Sequence, residues 1–147
     1  MVKYRKLSHT VYHCNYHVVF VPKYRYRILE GKIGELVEHK IRQVCAWNEV
    51  EIEELNIQSD HVHMLISVPP KRSLSEIVGI IKGKSAIHLF KTRKRLKEKP
   101  YWDIHFWARG YFATTVGGEK EIIRRYIRHQ KEEEKRRESD SENFHLF

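Results

Sequence analysis

The stretch that decides the fold is Ser59-Asp60-His61-Val62-His63-Met64-Leu65-Ile66-Ser67-Val68. In a β-strand successive side chains point to opposite faces. One face would then be wholly apolar, with Val62, Met64, Ile66 and Val68. His61 and His63 share the other face, where two imidazoles could bind a single cation. The same pattern fits two histidines that are only exposed or hydrogen-bonded, and the strand alone does not separate these interpretations.

Length and composition predict one cytoplasmic domain. The 147 residues, 41% of them hydrophobic, are enough for one hydrophobic core, so we assign residues 1–147 to a single domain with a frayed tail at 138–147. No apolar run approaches the roughly 20 residues of a membrane span, and the polar N-terminus lacks an export signal. Cys14 and Cys45 lack metal-site spacing, which predicts free thiols.

The chain carries an excess of positive charge, with a formal net charge of +9 and a pI of about 9.6. Such a charge favours a polyanionic partner, because neutralising phosphates releases condensed counterions. The cations alternate with aromatic residues in 23–27 and 102–111, a mixture typical of proteins that bind single-stranded nucleic acid. For any one of these residues, solvated charge or a buried ring remains an alternative.

Hydrophobic periodicity predicts strands at 15–21, 50–57, 59–68 and 111–116, and helices at 33–47, from Ser73 onward, and at 119–137. Ser73 and Glu76 have the spacing of a capping box. Both faces of the first strand are apolar, so that strand should be central. Residues 1–11 should be irregular. This order predicts an α+β fold: a ferredoxin-like (split βαβ) antiparallel sheet with helices on one side and an added C-terminal helix.

In the last helix, Tyr126 and Gln130 lie four residues apart and therefore on one helix face. A tyrosine on a half-apolar helix face is by default a packing residue with its hydroxyl at the rim. A glutamine one turn away is usually solvated. Taken alone, neither residue indicates a catalytic site.

Taken together, the His-Val-His strand and the Tyr-x-x-x-Gln helix resemble the HUH nucleases, and among them the single-tyrosine transposases of the insertion-sequence 200/605 family. The resemblance covers nearly the whole chain and includes several short signatures in the expected order. They are Tyr16-His17, Val21-Pro22-Lys23-Tyr24-Arg25, Asp60-His61-Val62-His63, Lys82-Gly83-Lys84-Ser85-Ala86, Trp107-Ala108-Arg109-Gly110-Tyr111 and Arg125-Tyr126-Ile127-Arg128.

The resemblance implies that Tyr126 is the nucleophile of a DNA strand-transfer reaction that passes through a 5′-phosphotyrosine. It also implies one divalent cation per active site, Mg²⁺ or Mn²⁺, held by His61, His63 and Gln130; zinc is conceivable on ligand grounds. The chain departs from its relatives at Asn56, where they often carry an acid, and at Ser59, where they often carry proline. Glu54 or Asp60 could compensate for the missing carboxylate.

The resemblance further implies a homodimer with active sites shared between subunits, which recognises hairpins in single-stranded DNA near element ends. Gly117-Gly118 would be a permissive hinge before the tyrosine helix, or only a tight turn. Our candidates for DNA contact are Lys23, Tyr24, Arg25, Lys82, Lys84 and Arg109. A domesticated repeat-associated tyrosine nuclease, a non-catalytic nucleic-acid-binding module and, less well supported, a metal hydrolase of small substrates are the alternatives.

Overall fold

The computed structural model describes residues 4–101, 103–115, 127–129 and 131–136. In chain order the elements are β1 (Arg5–Leu7), β2 (Thr10–Tyr12), β3 (Asn15–Phe20), α1 (Gly31–Trp47), β4 (Glu51–Gln58), β5 (His61–Ser67), α2 (Leu74–Thr92) and β6 (Phe112–Thr115). Short 3-10 turns lie at Lys23–Arg25 and Lys94–Lys97. Residues 127–129 and 131–136 are also helical, and we call them the C-terminal helical residues.

The central feature is a four-stranded sheet with the order β4-β5-β3-β6, in which every pair of neighbours is antiparallel. Combined with the order of elements along the chain, this is the ferredoxin-like arrangement, so the predicted α+β fold is confirmed. β3 lies between two strands, and the prediction that it is central is also correct. The observed bounds differ from the predicted ones by a few residues at strand and helix ends.

One face of the sheet packs on α1 and α2 and forms the main core. Alternate residues of β3 and β5 are buried there against apolar residues of both helices; they are Val18, Phe20, Val62, Met64 and Ile66. α2 begins as predicted, because Ser73 Oγ accepts a hydrogen bond from the Glu76 amide at 3.1 Å. The Glu76 carboxylate, which the capping box predicts to reach back to Ser73, instead accepts from Arg72 Nη1 at 2.9 Å. We call this side of the sheet the core face.

The opposite face of the sheet carries a smaller buried cluster. Val19 and Val21 pack there with Ala108 and with Ile127, one of the C-terminal helical residues. The C-terminal helical residues therefore lie on the side opposite α1 and α2. Tyr126, Gln130 and Gly117-Gly118 lie outside the described residues, as does most of the predicted last helix.

The prediction that residues 1–11 are irregular is wrong, because β1 and β2 pair as an antiparallel hairpin. Arg5 attaches this hairpin to the edge of the large sheet. Its buried guanidinium donates to Glu51 and, at 2.6 Å, to Glu53, which also accepts from Asn15 at 3.1 Å. The ladder between β4 and β5 shifts register between Ile52 and Glu54, which places Glu53 at a bulge. Ion pairs position this hairpin, so apolar periodicity did not reveal it.

Two predictions from composition can be compared with the described residues. Cys14 and Cys45 are both free thiols, as predicted, and burial raises the pKa of Cys45 to about 12. A thiol with that pKa stays protonated near neutral pH. Within the described part of the chain, no helix combines the length and apolar character needed to cross a membrane.

We predict that Arg5→Ala lowers the free energy of unfolding at pH 7 by about 1–2 kcal/mol, because a buried cation with charge-assisted hydrogen bonds is removed. The hydrogen bond from Arg5 holds the pKa of Glu53 below its usual value of 4.5. The stabilisation that this ion pair contributes is therefore complete above pH 4.5 and is lost as the pH falls through the lowered pKa. Urea denaturation at pH 7 and pH 3.5 measures both effects. Lys6→Ala, at an exposed position of the same strand, is the control. An equal loss for both variants would contradict the assignment.

Candidate metal and DNA site

His61 and His63 lie side by side on the face of β5 that points away from the core, as the alternation predicts. His61 is oriented by its neighbour, because its Nδ1 lies 2.8 Å from Asp60 Oδ1. The other Asp60 oxygen forms an ion pair with Arg25 Nε at 3.1 Å. A histidine whose Nδ1–H donates to a carboxylate presents the lone pair of Nε2, which is the common arrangement of metal-ligating histidines.

His63 contacts a third imidazole, that of His17 on β3. The pairing of β3 with β5 sets Val19 opposite His63 and His17 opposite Leu65, so all of these side chains share one face. His17 Nδ1 lies 3.2 Å from His63 Nε2, and the ring centroids are 5.4 Å apart. We call the side of the sheet that carries these rings and His61 the imidazole face.

The surroundings of His63 keep its ring neutral near pH 7. Burial lowers its pKa most, and the nearby imidazoles of His17 and His61 lower it further, whereas the charge of Glu54 opposes them. A neutral imidazole is the form that can bind a metal. Glu54 and Asn56 both lie on the imidazole face of β4, opposite Leu65 and His63 respectively. Glu54 is therefore a carboxylate close to His63, whereas Asp60 interacts with His61.

These rings fit part of a metal site. In each of the two predicted ligands one ring nitrogen takes no part in these contacts. For His61 it is Nε2. For His63 it is Nδ1, provided that Nε2–H donates to His17. Imidazole nitrogens suit Mn²⁺ and Zn²⁺, and bind Mg²⁺ more weakly. Within the residues that the structure describes, no group of three or more His, Cys, Asp or Glu side chains could hold a metal ion. Gln130, the third predicted ligand, lies outside those residues.

The predicted DNA contacts at Lys23, Tyr24 and Arg25 form a tight turn beside the imidazole face. Tyr24 and Arg25 have positive φ values of 59° and 54°. Lys23 forms an ion pair with Asp103, and the Tyr24 amide donates to Glu134, a buried member of the C-terminal helical residues. The role of these three residues in binding DNA remains a prediction, and each also holds part of the turn.

Lys82 was predicted to contact DNA. In the structure its ammonium group donates hydrogen bonds to the loop at residues 108–110. Its Nζ donates to the carbonyl oxygens of Ala108 and Gly110 at 2.7 and 2.8 Å. Burial lowers the pKa of Lys82 to about 8, although the charge of Glu134 opposes this shift. Lys84 and Arg109, by contrast, are exposed. All three remain candidates for DNA contact, but Lys82 also has a clear structural role.

Two residues near the predicted site, His17 and Glu134, were not predicted to belong to it, although Tyr16-His17 is one of the short signatures. The alternation of β3 grouped His17 with Val19 on one face, but both faces were predicted to be apolar, so the sequence did not indicate which of them lies opposite the main core. That His17 lies beside His63 depends on which strands pair, which the spacing of residues does not give. Glu134 is a charged residue in a polar, charged segment, and nothing in the sequence distinguishes it from its exposed neighbours.

We predict that Lys82→Ala lowers the free energy of unfolding by about 1–3 kcal/mol, since two charge-assisted hydrogen bonds to loop carbonyls are lost. Lys84→Ala, an exposed change two residues away, should alter it by less than about 0.5 kcal/mol. Chemical denaturation of both variants measures the difference. If the two variants are equally stable, the contacts of Lys82 with the loop contribute nothing to folding.

We predict that His17→Ala weakens Mn²⁺ binding by about tenfold, because the hydrogen-bond partner that orients His63, a predicted metal ligand, is removed. His17→Gln, which keeps a hydrogen-bond acceptor, should retain most of the affinity. Electron paramagnetic resonance of free Mn²⁺ gives the binding isotherm, and His39→Ala, an exposed histidine of α1, is the control. Unchanged affinity in His17→Ala would show that His17 does not position His63.

Comparison with known proteins identifies the family. The sequence profile described as "Transposase IS200 like" matches residues 10–130. A transposase for insertion sequence element IS200 from Salmonella typhimurium is 43% identical over 131 residues, which cover 89% of this chain and 86% of the relative. The ISDra2 transposase TnpA from Deinococcus radiodurans is 32% identical over 125 residues, which cover 84% and 89%.

Solved structures agree with this result. A crystal structure from Deinococcus radiodurans R1, described as that of a transposase, superposes with a TM-score of 0.78 at 28% identity and covers 86% of this chain and 97% of its own. A REP-associated tyrosine transposase bound to a REP hairpin shares the fold, with a TM-score of 0.54 at 16% identity, covering 86% of this chain and 68% of that one. The profile match and the curated relatives extend over most of the chain, and the chain therefore belongs to the IS200-like transposase family.

Proposed function

We propose that this transposase cleaves and rejoins single-stranded DNA with Tyr126 as the nucleophile, in a metal-dependent reaction on the imidazole face. The observation that supports this most directly concerns Ile127, which follows Tyr126 in the chain. Ile127 is buried against Val19, and Val19 pairs with His63. The residue next to the proposed nucleophile thus packs on the face that carries the proposed ligands.

The proposed step is a direct exchange of phosphodiester bonds. The phenol oxygen of Tyr126 forms a bond to phosphorus, and the bond from phosphorus to the 3′ oxygen breaks. The phenol proton is released, the 3′ oxygen takes up a proton, and the products are a 3′-hydroxyl end and a 5′-phosphotyrosine. Because the covalent bond keeps the energy of the phosphodiester, rejoining requires no nucleotide cofactor.

His61, His63 and Gln130 would hold one Mg²⁺ or Mn²⁺ ion. When bound there, such an ion would polarise the scissile phosphate and offset the negative charge that develops on its oxygens. The described residues contribute orientation: Asp60 fixes the ring of His61, and His17 fixes that of His63. Arg25, through its ion pair with Asp60, extends this support to the tight turn at Lys23–Arg25, which we call the basic turn.

The proposed partner is single-stranded DNA with hairpins near the element ends. The net charge of +9 and the exposed cations Lys84 and Arg109 favour a polyanion. The fold is compatible with a folded DNA ligand, since the distant structural relative was solved bound to a REP hairpin. A domesticated nuclease acting on host palindromes would use the same chemistry, so the DNA around the gene, and not the fold, separates these two possibilities.

We also propose that two copies associate and share their active sites, as the family resemblance implies. Within one chain the C-terminal helical residues pack on the sheet of that same chain. Shared sites would therefore require the C-terminal helical residues of one subunit to leave their own sheet and dock on the equivalent face of the partner. The test below includes a measurement that distinguishes the two arrangements.

We predict that the protein, mixed with Mn²⁺ and single-stranded oligonucleotides from the DNA flanking its gene, forms a covalent adduct that survives denaturing electrophoresis. A label at the 3′ end of the oligonucleotide should remain on the protein, whereas a 5′ label should leave with the free fragment. Tyr126→Phe should abolish the adduct. His61→Ala should reduce it by about a hundredfold or more, since the charge offset at the phosphate is lost.

Tyr4→Phe, an exposed tyrosine of the N-terminal segment, is the matched control and should react normally. Co-expressed Tyr126→Phe and His61→Ala subunits should regain adduct formation if sites are shared, because one composite site is then intact. They should stay inactive if each chain completes its own site. DNA binding without any adduct, unchanged by Tyr126→Phe, would favour the non-catalytic binding module.

A further inference from the structure

A cavity of about 380 Å³ opens beside His61, between the basic turn and the C-terminal helical residues. We call it the basic pocket. It is lined by residues 24–27, by Asp60 and by Lys131 and Lys135. A cavity of a few hundred Å³ can hold a nucleotide-sized group.

The lining has the chemistry of a site for an anion. Arg25, Arg27, Lys131 and Lys135 contribute four cations, against the single carboxylate of Asp60. That carboxylate is already engaged, by Arg25 on one oxygen and by His61 on the other. The remaining excess of positive charge favours a phosphate, which guanidinium and ammonium groups bind through charge-assisted hydrogen bonds.

The pocket also presents aromatic surface. Tyr26 is 41% exposed, and its ring meets that of Tyr24 edge to face, with centroids 5.6 Å apart. An exposed aromatic ring next to cations is the combination that binds an unpaired nucleotide, because the base stacks on the ring while the cations follow the backbone. A base inside a duplex is already stacked on both sides and cannot use such a ring.

The pocket is fixed in place from both sides. On one side, Asp60 connects its wall directly to the Nδ1 of His61. On the other, Glu134 accepts a hydrogen bond from the Tyr24 amide and thereby joins the C-terminal helical residues to the turn. The turn adopts left-handed backbone conformations at Tyr24 and Arg25, which this contact helps to hold. A ligand in the pocket would lie next to the proposed metal-binding histidine.

We propose that the basic pocket binds one unpaired nucleotide of the DNA strand, adjacent to the phosphate that is cleaved. Arg27, Lys131 and Lys135 contact its phosphate, and Tyr26 stacks on its base. The proposal rests on the proposed function for the identity of the strand. It adds a subsite that selects single-stranded over duplex DNA next to the reacting bond.

The test measures binding of a fluorescent oligothymidylate by anisotropy, without divalent metal, over a range of salt concentrations. Arg27→Ala/Lys131→Ala should lose about tenfold in affinity. The slope of log affinity against log salt concentration should become shallower by about 0.7, as expected when one phosphate of a single strand is no longer neutralised. Tyr26→Leu should lose about tenfold, whereas Tyr26→Phe, which keeps the ring, should bind as the parent protein does.

The charge-matched control is Lys32→Ala/Arg42→Ala, which removes two exposed cations from α1 on the other side of the sheet. It should lose less than twofold. An equal loss in both double variants would attribute the effect to overall charge and overturn the proposal. So would unchanged binding in Tyr26→Leu, or a Tyr26→Phe variant as weak as Tyr26→Leu; thermal unfolding verifies that each variant is folded.

Failure of this proposal can be told apart from failure of the proposed function. Oligothymidylate binding is measured without divalent metal and forms no covalent bond, so it reports on the pocket independently of the proposed chemistry. If the pocket variants bind normally while the parent protein forms adducts, the pocket assignment is wrong and the chemistry stands. If the pocket variants lose binding but no adduct forms with any substrate, the subsite stands and the catalytic proposal fails.

Discussion

The antiparallel pairing of β3 with β5 is the constraint on which the rest of the structure depends. Its register sets Val18 and Phe20 beside Met64 and Val62 on the core face, and His17 and Val19 beside His63 on the other. A shift of one residue would exchange these faces, burying imidazoles in the core and exposing aliphatic side chains. The large apolar area buried under α1 and α2 therefore also fixes where the imidazoles stand.

Several of the short signatures by which the family is recognised meet in space and hold one another. Trp107 Nε1 donates to Ser85 Oγ at 2.9 Å, and the Lys23 amide donates to the Phe106 carbonyl at 2.8 Å. Together with the contacts of Lys82, they tie α2, the 106–110 loop and the basic turn into one unit. Polar residues in these signatures thus have a packing role close to the imidazole face.

The sequence predicted the sheet, its central strand and the two-histidine face, because alternation in β5 and two-sided burial in β3 are local patterns. It could not predict the contact of His17 with His63 or that of Arg5 with Glu53, which join residues distant in the chain. The sequence does not indicate whether a lysine such as Lys82 binds DNA or donates hydrogen bonds to a loop carbonyl. Tyr126 and Gln130 were proposed as nucleophile and metal ligand on family resemblance alone, since nothing in their own spacing distinguishes such roles from those of ordinary surface residues.

Because of the bulge at Glu53, the two edge strands of the large sheet, β4 and β6, differ in how easily a further strand could pair with them. On the β4 border, the irregular ladder and the carboxylates paired with Arg5 obstruct the addition of a further strand. On the opposite border, β6 pairs with β3 along one side, and among the described strands none lies along its other side. Among the described strands, β6 is therefore the border of the sheet where main-chain hydrogen bonds to a further strand would meet fewer obstacles.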